Sequence, residues 1–411
     1  MSKKANYFLG MLSGVALAVI AWVAFAIPRD LDFRINPAAA PQQAGSSILN
    51  TAEIAQKLTH IYRIIDRNFI GDFDLETALD VMFAGFVYGA GDPYTVYLSA
   101  DAFVSFRENT QGEFVGIGVS IVTDPVDGRI MVVSPFEGSP AFNAGVLPGD
   151  KIIRVDGVEV FGNERTQEAI GMMRGDRGTE VTITVLRESE DRTFDIPIIR
   201  DLIQVETVRH RVIEDTNIGY IRISQFDRVT YDQFQTAYNN LIETGVEGLI
   251  IDVRNNPGGL LDVVNSIADM IVPEGIITYT EDARGRRTNA YSDARQIEIP
   301  LVVLVNGNSA SASEILSGAV RDTGIGELLG TTTFGKGLVQ NVFPLADGSA
   351  VKVTIARYFT PAGICINGEG IVPTHYVEMD VELTNRLSTL PQEYDVQLLE
   401  AINLMEDLMG R

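Results

Sequence analysis

The sequence predicts an α+β multidomain protein, with helical segments at both ends, a β-rich domain and a larger α/β domain. Three observations predict it. Apolar residues recur at helical spacing at Ile54, Leu58, Ile61, Ile64 and Ile65, and again between Tyr394 and Met409. From about Gln111 the chain turns into short apolar runs separated by Gly and Pro turns. From Asn217 apolar runs alternate with helical stretches, the pattern of parallel strands joined by right-handed crossovers.

The elements follow in order. Lys3 and Lys4 precede residues 7–27, a stretch of 21 uncharged and mostly apolar residues. That length suits a membrane span, while Ala24-Phe25-Ala26 fits a cleavage site, so residues 1–27 are expected to be a signal anchor or a signal peptide. The lysines would stay cytoplasmic. The rest is then expected to be periplasmic or otherwise extracytoplasmic, held at the inner or plasma membrane if the segment is retained. Residues 28–50, rich in Pro, Ala, Gln, Gly and Ser, form a flexible linker. A helical region covers 51–110, with a second helix over 75–88 that Gly91-Asp92-Pro93 ends.

The β-rich domain spans 111–200. Its short apolar runs are read at 116–121 and 129–133, within 147–157, and at 181–187. The Gly116-Ile117-Gly118-Val119 loop is a candidate carboxylate site, because glycine lets backbone N–H groups approach an anion closely. A glycine-rich turn without a ligand has the same local pattern. The α/β domain spans 201–380, with strands at 218–223, 248–253 and 301–305 and helices over 230–244, 260–272 and from after Gly307 through Val320. Reactive groups in such sheets gather at the carboxyl ends of the strands. Pro257-Gly258-Gly259 and a serine cluster both lie there. Residues 381–411 end in an amphipathic helix that either packs on its own core or forms a dimer contact.

Composition excludes several functions. The 411 residues carry a net charge of −23, which leaves no basic surface for nucleic acid. Cys365 is the only cysteine, so no disulfide forms within the chain. His60, His210 and His375 are scattered without metal-ligand spacing, and no Gly-x-Ser-x-Gly elbow exists. The run Gly330 to Lys336 imitates a phosphate loop, but Gly337 stands where a Ser or Thr would hold Mg²⁺. No cofactor is expected.

The chemistry is carried by two segments, Asn308-Ser309-Ala310-Ser311-Ala312-Ser313-Glu314 and Phe334-Gly335-Lys336-Gly337-Leu338-Val339-Gln340. A serine becomes a nucleophile when a base removes its proton, and a lysine kept neutral by burial is such a base. Read locally, Ser311-Ala312-Ser313-Glu314 is equally a capping box. Nothing local separates Ser311 from Ser309 or Ser313. Lys336 alone is equally a turn lysine, and Gln340 a surface strand residue. Pro257-Gly258-Gly259 is a tight turn that also leaves amides for an oxyanion.

Two resemblances add to this reading. Residues 111–200 resemble a PDZ domain, carried by Gly116-Ile117-Gly118-Val119 and by Pro148-Gly149-Asp150 leading into Ile152-Ile153-Arg154-Val155-Asp156-Gly157. In such domains a peptide adds a strand at a sheet edge. The chain after residue 50 is similar to the carboxyl-terminal processing, or tail-specific, proteases. Gly91-Asp92-Pro93-Tyr94-Thr95, Asp252-Val253-Arg254-Asn255-Asn256-Pro257-Gly258-Gly259, the two segments above, and Gly370-Ile371-Val372-Pro373 carry that resemblance.

The family implies a crotonase-like α/β protease core with an inserted PDZ domain, acting on proteins or peptides with free C-termini. It implies Ser311 as nucleophile, Lys336 as base with the family's 25-residue separation, and Gln340 as the residue orienting the lysine. It further implies an oxyanion hole from Gly258 and Ala312, and Arg174 as a link between bound peptide and active site. Asn308, Ile364-Cys365-Ile366-Asn367 and Thr374-His375 depart from the family pattern without removing a catalytic group. The competing expectation is a non-catalytic PDZ scaffold on a degenerate protease fold.

Overall fold

A computed structural model of the chain describes residues 50–124, 127–161 and 165–410. The expected membrane or signal segment and all but the last residue of the linker lie outside them. Among the described residues no helix is long and apolar enough to cross a membrane. The chain divides into two units, residues 1–75 and 76–411. In the first, a helix runs over Thr51–Asn68, opened by Asn50, whose side chain accepts from the Glu53 amide. Its Ile54, Ile61 and Ile64 are exposed.

The second unit opens within the first turn of the helix Leu75–Tyr88, at Glu76. The helical region then breaks where the sequence pattern does not show it. Strand β1 (Val96–Leu98) pairs antiparallel with a strand some 250 residues later, and a further helix runs over Ala100–Gln111. Gly112, at φ 68°, caps that helix.

The β-rich domain holds β2 (Glu113–Gly116), β3 (Val119–Thr123), β4 (Ile130–Pro135), β5 (Lys151–Val155), β6 (Val158–Glu159), β7 (Glu180–Arg187), β8 (Arg192–Ile199) and β9 (Asp201–Gln204). The sheet runs in the order β3-β4-β5-β7-β8, and a helix covers Thr166–Met173. Ile117, Ile130, Val132, Ile152, Val155, Val181, Ile183 and Val185 fill its own core. Strands β2 and β9 pair antiparallel, Glu113 against Gln204, and close the domain's neck.

The α/β domain holds a six-stranded sheet of β10 (Val208–Val212), β11 (Ile218–Ile223), β12 (Gly248–Asp252), β15 (Leu301–Val305), β16 (Glu327–Gly330) and β19 (His375–Tyr376), in that order. Every neighbour pair except β10–β11 is parallel. Both faces are covered, which explains the unbroken apolar runs. Ile221, Ile223, Leu249, Ile251 and Val303 pack with Phe234, Val264, Ile267 and Leu316 of the helices Thr230–Glu243, Leu261–Ile271 and Ala312–Thr323. Tyr220, Ile250, Val302 and Leu304 pack on the other side with Leu398, Ala401 and Met405 of the helix Val396–Leu408. The C-terminal helix packs on its own core, one of the two roles expected for it.

A second sheet was not legible in the sequence: β13 (Gly275–Asp282), β14 (Arg287–Ser292), β17 (Leu338–Pro344) and β18 (Ala350–Phe359), with β1 at its edge. Strand β18 pairs with β1, β13 and β17. The C-terminal helix is also pinned by charge. Buried Arg254, just past β12, donates to Asp252, to Asp395 at that helix's start and to Gln397.

Candidate active site

The serine cluster begins where β15 leaves the sheet. Ser309 and Ser313 are fully buried and committed to structure. The Ser309 hydroxyl donates to the Val253 carbonyl at 2.8 Å and accepts from the Asn306 amide. The Ser313 hydroxyl donates to the Asn256 carbonyl at 2.9 Å. Ser311 alone of the three lines a cavity, of about 420 Å³. Tertiary contacts thus separate the serines that local sequence did not. Ser311 sits at φ 55° and ψ −111°, a sparsely populated conformation for a residue with a side chain. Ala312 follows as the first residue of the helix, so its amide belongs to the unpaired, electropositive helix start.

Glu314 holds this turn. The expected capping box is present on the glutamate side, since Glu314 Oε2 accepts from the Ser311 amide at 2.8 Å. The same oxygen accepts from the Lys336 amide at 2.9 Å. Glu314 Oε1 accepts from Thr333 Oγ1 at 2.6 Å and from the Gly335 amide at 2.7 Å. One fully buried carboxylate therefore clasps the serine turn to the lysine loop. Tyr358 repeats the clasp, its hydroxyl donating to the Ser311 carbonyl at 3.0 Å and sharing the Lys336 carbonyl.

Gly258, Ala312, Lys336 and Gln340 line the same cavity as Ser311, so the structure brings together these five sequence-predicted residues. Gly258 needs to be glycine. Its φ is 106°, and a Cβ there would lie 2.8 Å from Ser311 Cβ and 3.0 Å from the Ala312 nitrogen. Its amide already donates to Asn256 Oδ1 at 2.9 Å. Lys336 Nζ stands 4.7 Å from the centre of the Tyr94 ring and makes no hydrogen bond to Ser311 or Gln340 among the described residues. Burial holds the Lys336 ammonium below the usual lysine range, helped by the charge of Lys352 and opposed by Glu314 and Asp92. Gln340, on β17, reaches Thr354 Oγ1 of β18 at 3.5 Å.

The predicted peptide-binding residues lie apart from this cavity. The Ile117 and Gly118 carbonyls are occupied, by the Ala141 amide at 2.8 Å and by the Phe136 amide and Ser139 hydroxyl at 2.9 Å. Their own amides take no part in these bonds. Gly116 pairs with Asp201 in the neck, and Val119 packs against the domain core. Arg174 is ion-paired to Glu108 and lies 5.2 Å over the Phe114 ring, in a separate cavity of about 360 Å³. Gln225 lines both that cavity and the one holding Ser311.

A larger cavity of about 650 Å³ is lined by Arg209, Arg211 and Arg222 and also by His210, Ser224 and Ser388, but there the Ser224 hydroxyl donates to the Thr207 carbonyl rather than to His210. His210 reaches Asn240 and His375 reaches Glu327, and the described residues hold no group of metal ligands. Sequence reasoning missed the roles of Glu314, Tyr94, Tyr358 and Lys352. Tyr94 was visible within Gly91-Asp92-Pro93-Tyr94-Thr95, and Glu314 only as a helix cap.

Fold and site together define a PDZ-bearing peptidase. Residues 217–377 match the model of peptidase family S41, and 106–198 match a PDZ domain. The chain belongs to this family, among the carboxy-terminal-processing proteases. It is 39% identical over 320 residues to a carboxy-terminal-processing protease of Bartonella bacilliformis, covering 75% of this chain and 70% of that one. It is 36% identical over 325 residues to the carboxy-terminal processing protease CtpA of Bacillus subtilis, covering 79% and 69%. A solved photosystem II D1 C-terminal processing protease is 32% identical, with 79% of this chain and 86% of that one covered and a TM-score of 0.46.

Proposed function

We propose that the chain is an exported serine endopeptidase that captures C-terminal tails of proteins with its PDZ domain and cleaves them at Ser311. The observation that carries this reading is the division of labour among the serines. Ser309 and Ser313 are spent on backbone carbonyls, while Ser311 shares a cavity with a lysine whose ammonium is disfavoured by burial.

In the proposed reaction neutral Lys336 Nζ removes the Ser311 proton as Oγ attacks the scissile carbonyl. To do so Lys336 leaves the Tyr94 face, and Gln340 is the group on β17 that orients it. The Ala312 amide meets the developing oxyanion, joined by Gly258, whose amide Asn256 now engages. The leaving amine takes the proton, and the acyl-enzyme is hydrolysed by water that Lys336 activates. No step needs a cofactor. The tail carboxylate docks at the amides of the 116–119 loop, and the Arg174–Glu108 pair lines a cavity that shares Gln225 with the catalytic one. Residues 7–27 hold the protein at the membrane, with the catalytic part outside the cytoplasm.

The test uses the full chain with Ser311→Ala and matched tail peptides ending in a free acid or an amide. The acid is expected to bind about tenfold or more tightly, since charge-assisted hydrogen bonds are worth roughly 1.5–3 kcal/mol each. Equal binding would remove carboxylate capture. Failure of the unmutated chain to cleave casein or a tail-bearing protein would leave a scaffold.

A further inference from the structure

The catalytic cavity holds a second lysine. Lys352 lies on β18, opposite Val342 of β17, one row from the Gln340–Thr354 pair. Residues two apart on a strand face the same way, so Lys352 and Thr354 present to one side. Lys352 lines the cavity of Ser311 and Lys336. It is partly buried, and its Nζ lies 5.7 Å over the Phe106 ring. Among the described residues no carboxylate lies within ion-pair distance of it.

We propose that Lys352 is an electrostatic positioning residue for catalysis: an unpaired ammonium, held in the cavity beside Lys336, whose charge works against protonation of the catalytic base. This rests on Lys336 being that base. The groups facing Lys336 divide by sign. Glu314, from the helix Ala312–Thr323, and Asp92, from the turn before β1, favour its charged form. Tyr94, from the same turn, offers its ring face to the ammonium. Tyr358, from β18, meets only the backbone carbonyl and is itself held neutral by burial. Burial and Lys352 act the other way, and Lys352 is the one cation among these groups.

The arrangement needs Lys352 to stay charged while Lys336 loses its proton. Burial disfavours the Lys352 ammonium and Asp92 supports it, and the mutual repulsion with Lys336 ends once Lys336 gives up its proton. Asp92 is itself anchored by Thr95 and by the Tyr94 amide, which keeps its charge in place. A like charge beside a lysine base is a general way to obtain a neutral amine near neutral pH.

The test replaces the charge and keeps the shape. Lys352→Met removes the ammonium, and Lys352→Arg retains a cation. The acid limb of the kcat/KM pH profile on a peptide without carboxylates near the scissile bond is expected to move to higher pH in Lys352→Met. A shift of roughly one pH unit is expected for a half-buried neighbour, and Lys352→Arg should leave the limb near its original position. A direct readout uses the full chain with Ser311→Ala and ¹³C-labelled lysine. The Lys336 signal, assigned with Lys336→Arg, is expected to titrate at higher pH once Lys352→Met is added. That titration does not require turnover, so it stands even if Ser311 proves not to be the nucleophile. Superimposed Lys336 titrations, in variants that melt like the parent, would overturn the proposal. So would an unmoved acid limb with a raised KM only for acidic peptides, which would make Lys352 a substrate contact instead.

Discussion

Replacing Glu314 with glutamine changes one atom and should disable the site. The carboxylate accepts four hydrogen bonds, two at each oxygen, from Thr333, Gly335, Ser311 and Lys336. A carboxamide of the same shape keeps one acceptor oxygen and turns the other into an NH₂ donor. Whichever way it flips, two buried donors face a donor. Each orphaned donor costs about 1–3 kcal/mol, so Glu314→Gln should lose roughly 2–6 kcal/mol of stability. In a domain of this size that corresponds to a Tm lower by roughly 5–20 °C. Activity should fall further than stability, because the serine turn and the lysine loop lose their shared tether. At a temperature where both proteins are folded, kcat/KM should drop at least about tenfold. Thermal unfolding and peptide cleavage measure the two effects. A variant that melts within a degree or two of the parent and cleaves at a similar rate would refute the clasp.

Other outcomes follow from buried charge. Arg254→Met leaves Asp395 without its cation and Asp252 with only Arg222 at 3.9 Å, and should cost about 3–5 kcal/mol in chemical denaturation. Burial pulls the Asp252 carboxyl up, but Arg254, with Arg222 and the Tyr220 hydroxyl, outweighs it and holds it below its ordinary 3.8. That stabilisation is present above the unfolded value and is lost as pH falls through the folded one, so Arg254→Met should raise the pH of acid unfolding. Asp227 is the opposite case, pushed up by burial to about 6. Folding then binds a proton, and stability declines as pH rises from about 4 to about 6. Asp227→Asn should therefore raise Tm at pH 8 and leave it nearly unchanged at pH 4, and equal shifts at both would contradict the assignment.

Much of this architecture was legible because its signals are local. The buried parallel strands Leu301–Val305 and Gly248–Asp252 are apolar on both faces and read directly from the sequence. The serine cluster and the glycine-flanked Lys336 stood out as residue types in unusual settings, and the family resemblance pointed to Ser311 among the serines. Strand β1 was hidden inside a helical region, because its three residues are defined only by pairing with Ala350, Val351 and Lys352. The second sheet was hidden for the same reason. The physical ground for separating Ser311 from its neighbours came only with tertiary contacts, where Ser309 meets Val253, 56 residues away, and Ser313 meets Asn256. Glu314 was read as a helix cap because three of its four partners, Thr333, Gly335 and Lys336, lie in the lysine loop. Gly258 was read as an oxyanion donor, and its bond to Asn256 depends on a side-chain rotamer that sequence does not specify.

The most direct test of the central claim substitutes each serine of the cluster in turn and follows both cleavage and melting. Ser311→Ala should melt like the parent and cleave nothing, because its hydroxyl serves the reaction. Ser309→Ala and Ser313→Ala should melt lower and should still cleave when folded, since each removes a buried hydroxyl's hydrogen bond to a carbonyl that keeps only a backbone donor, and Ser309→Ala also strips the Asn306 amide of its acceptor. Cleavage by Ser311→Ala at the parent rate would contradict the account. So would its complete loss in Ser309→Ala or Ser313→Ala with melting unchanged.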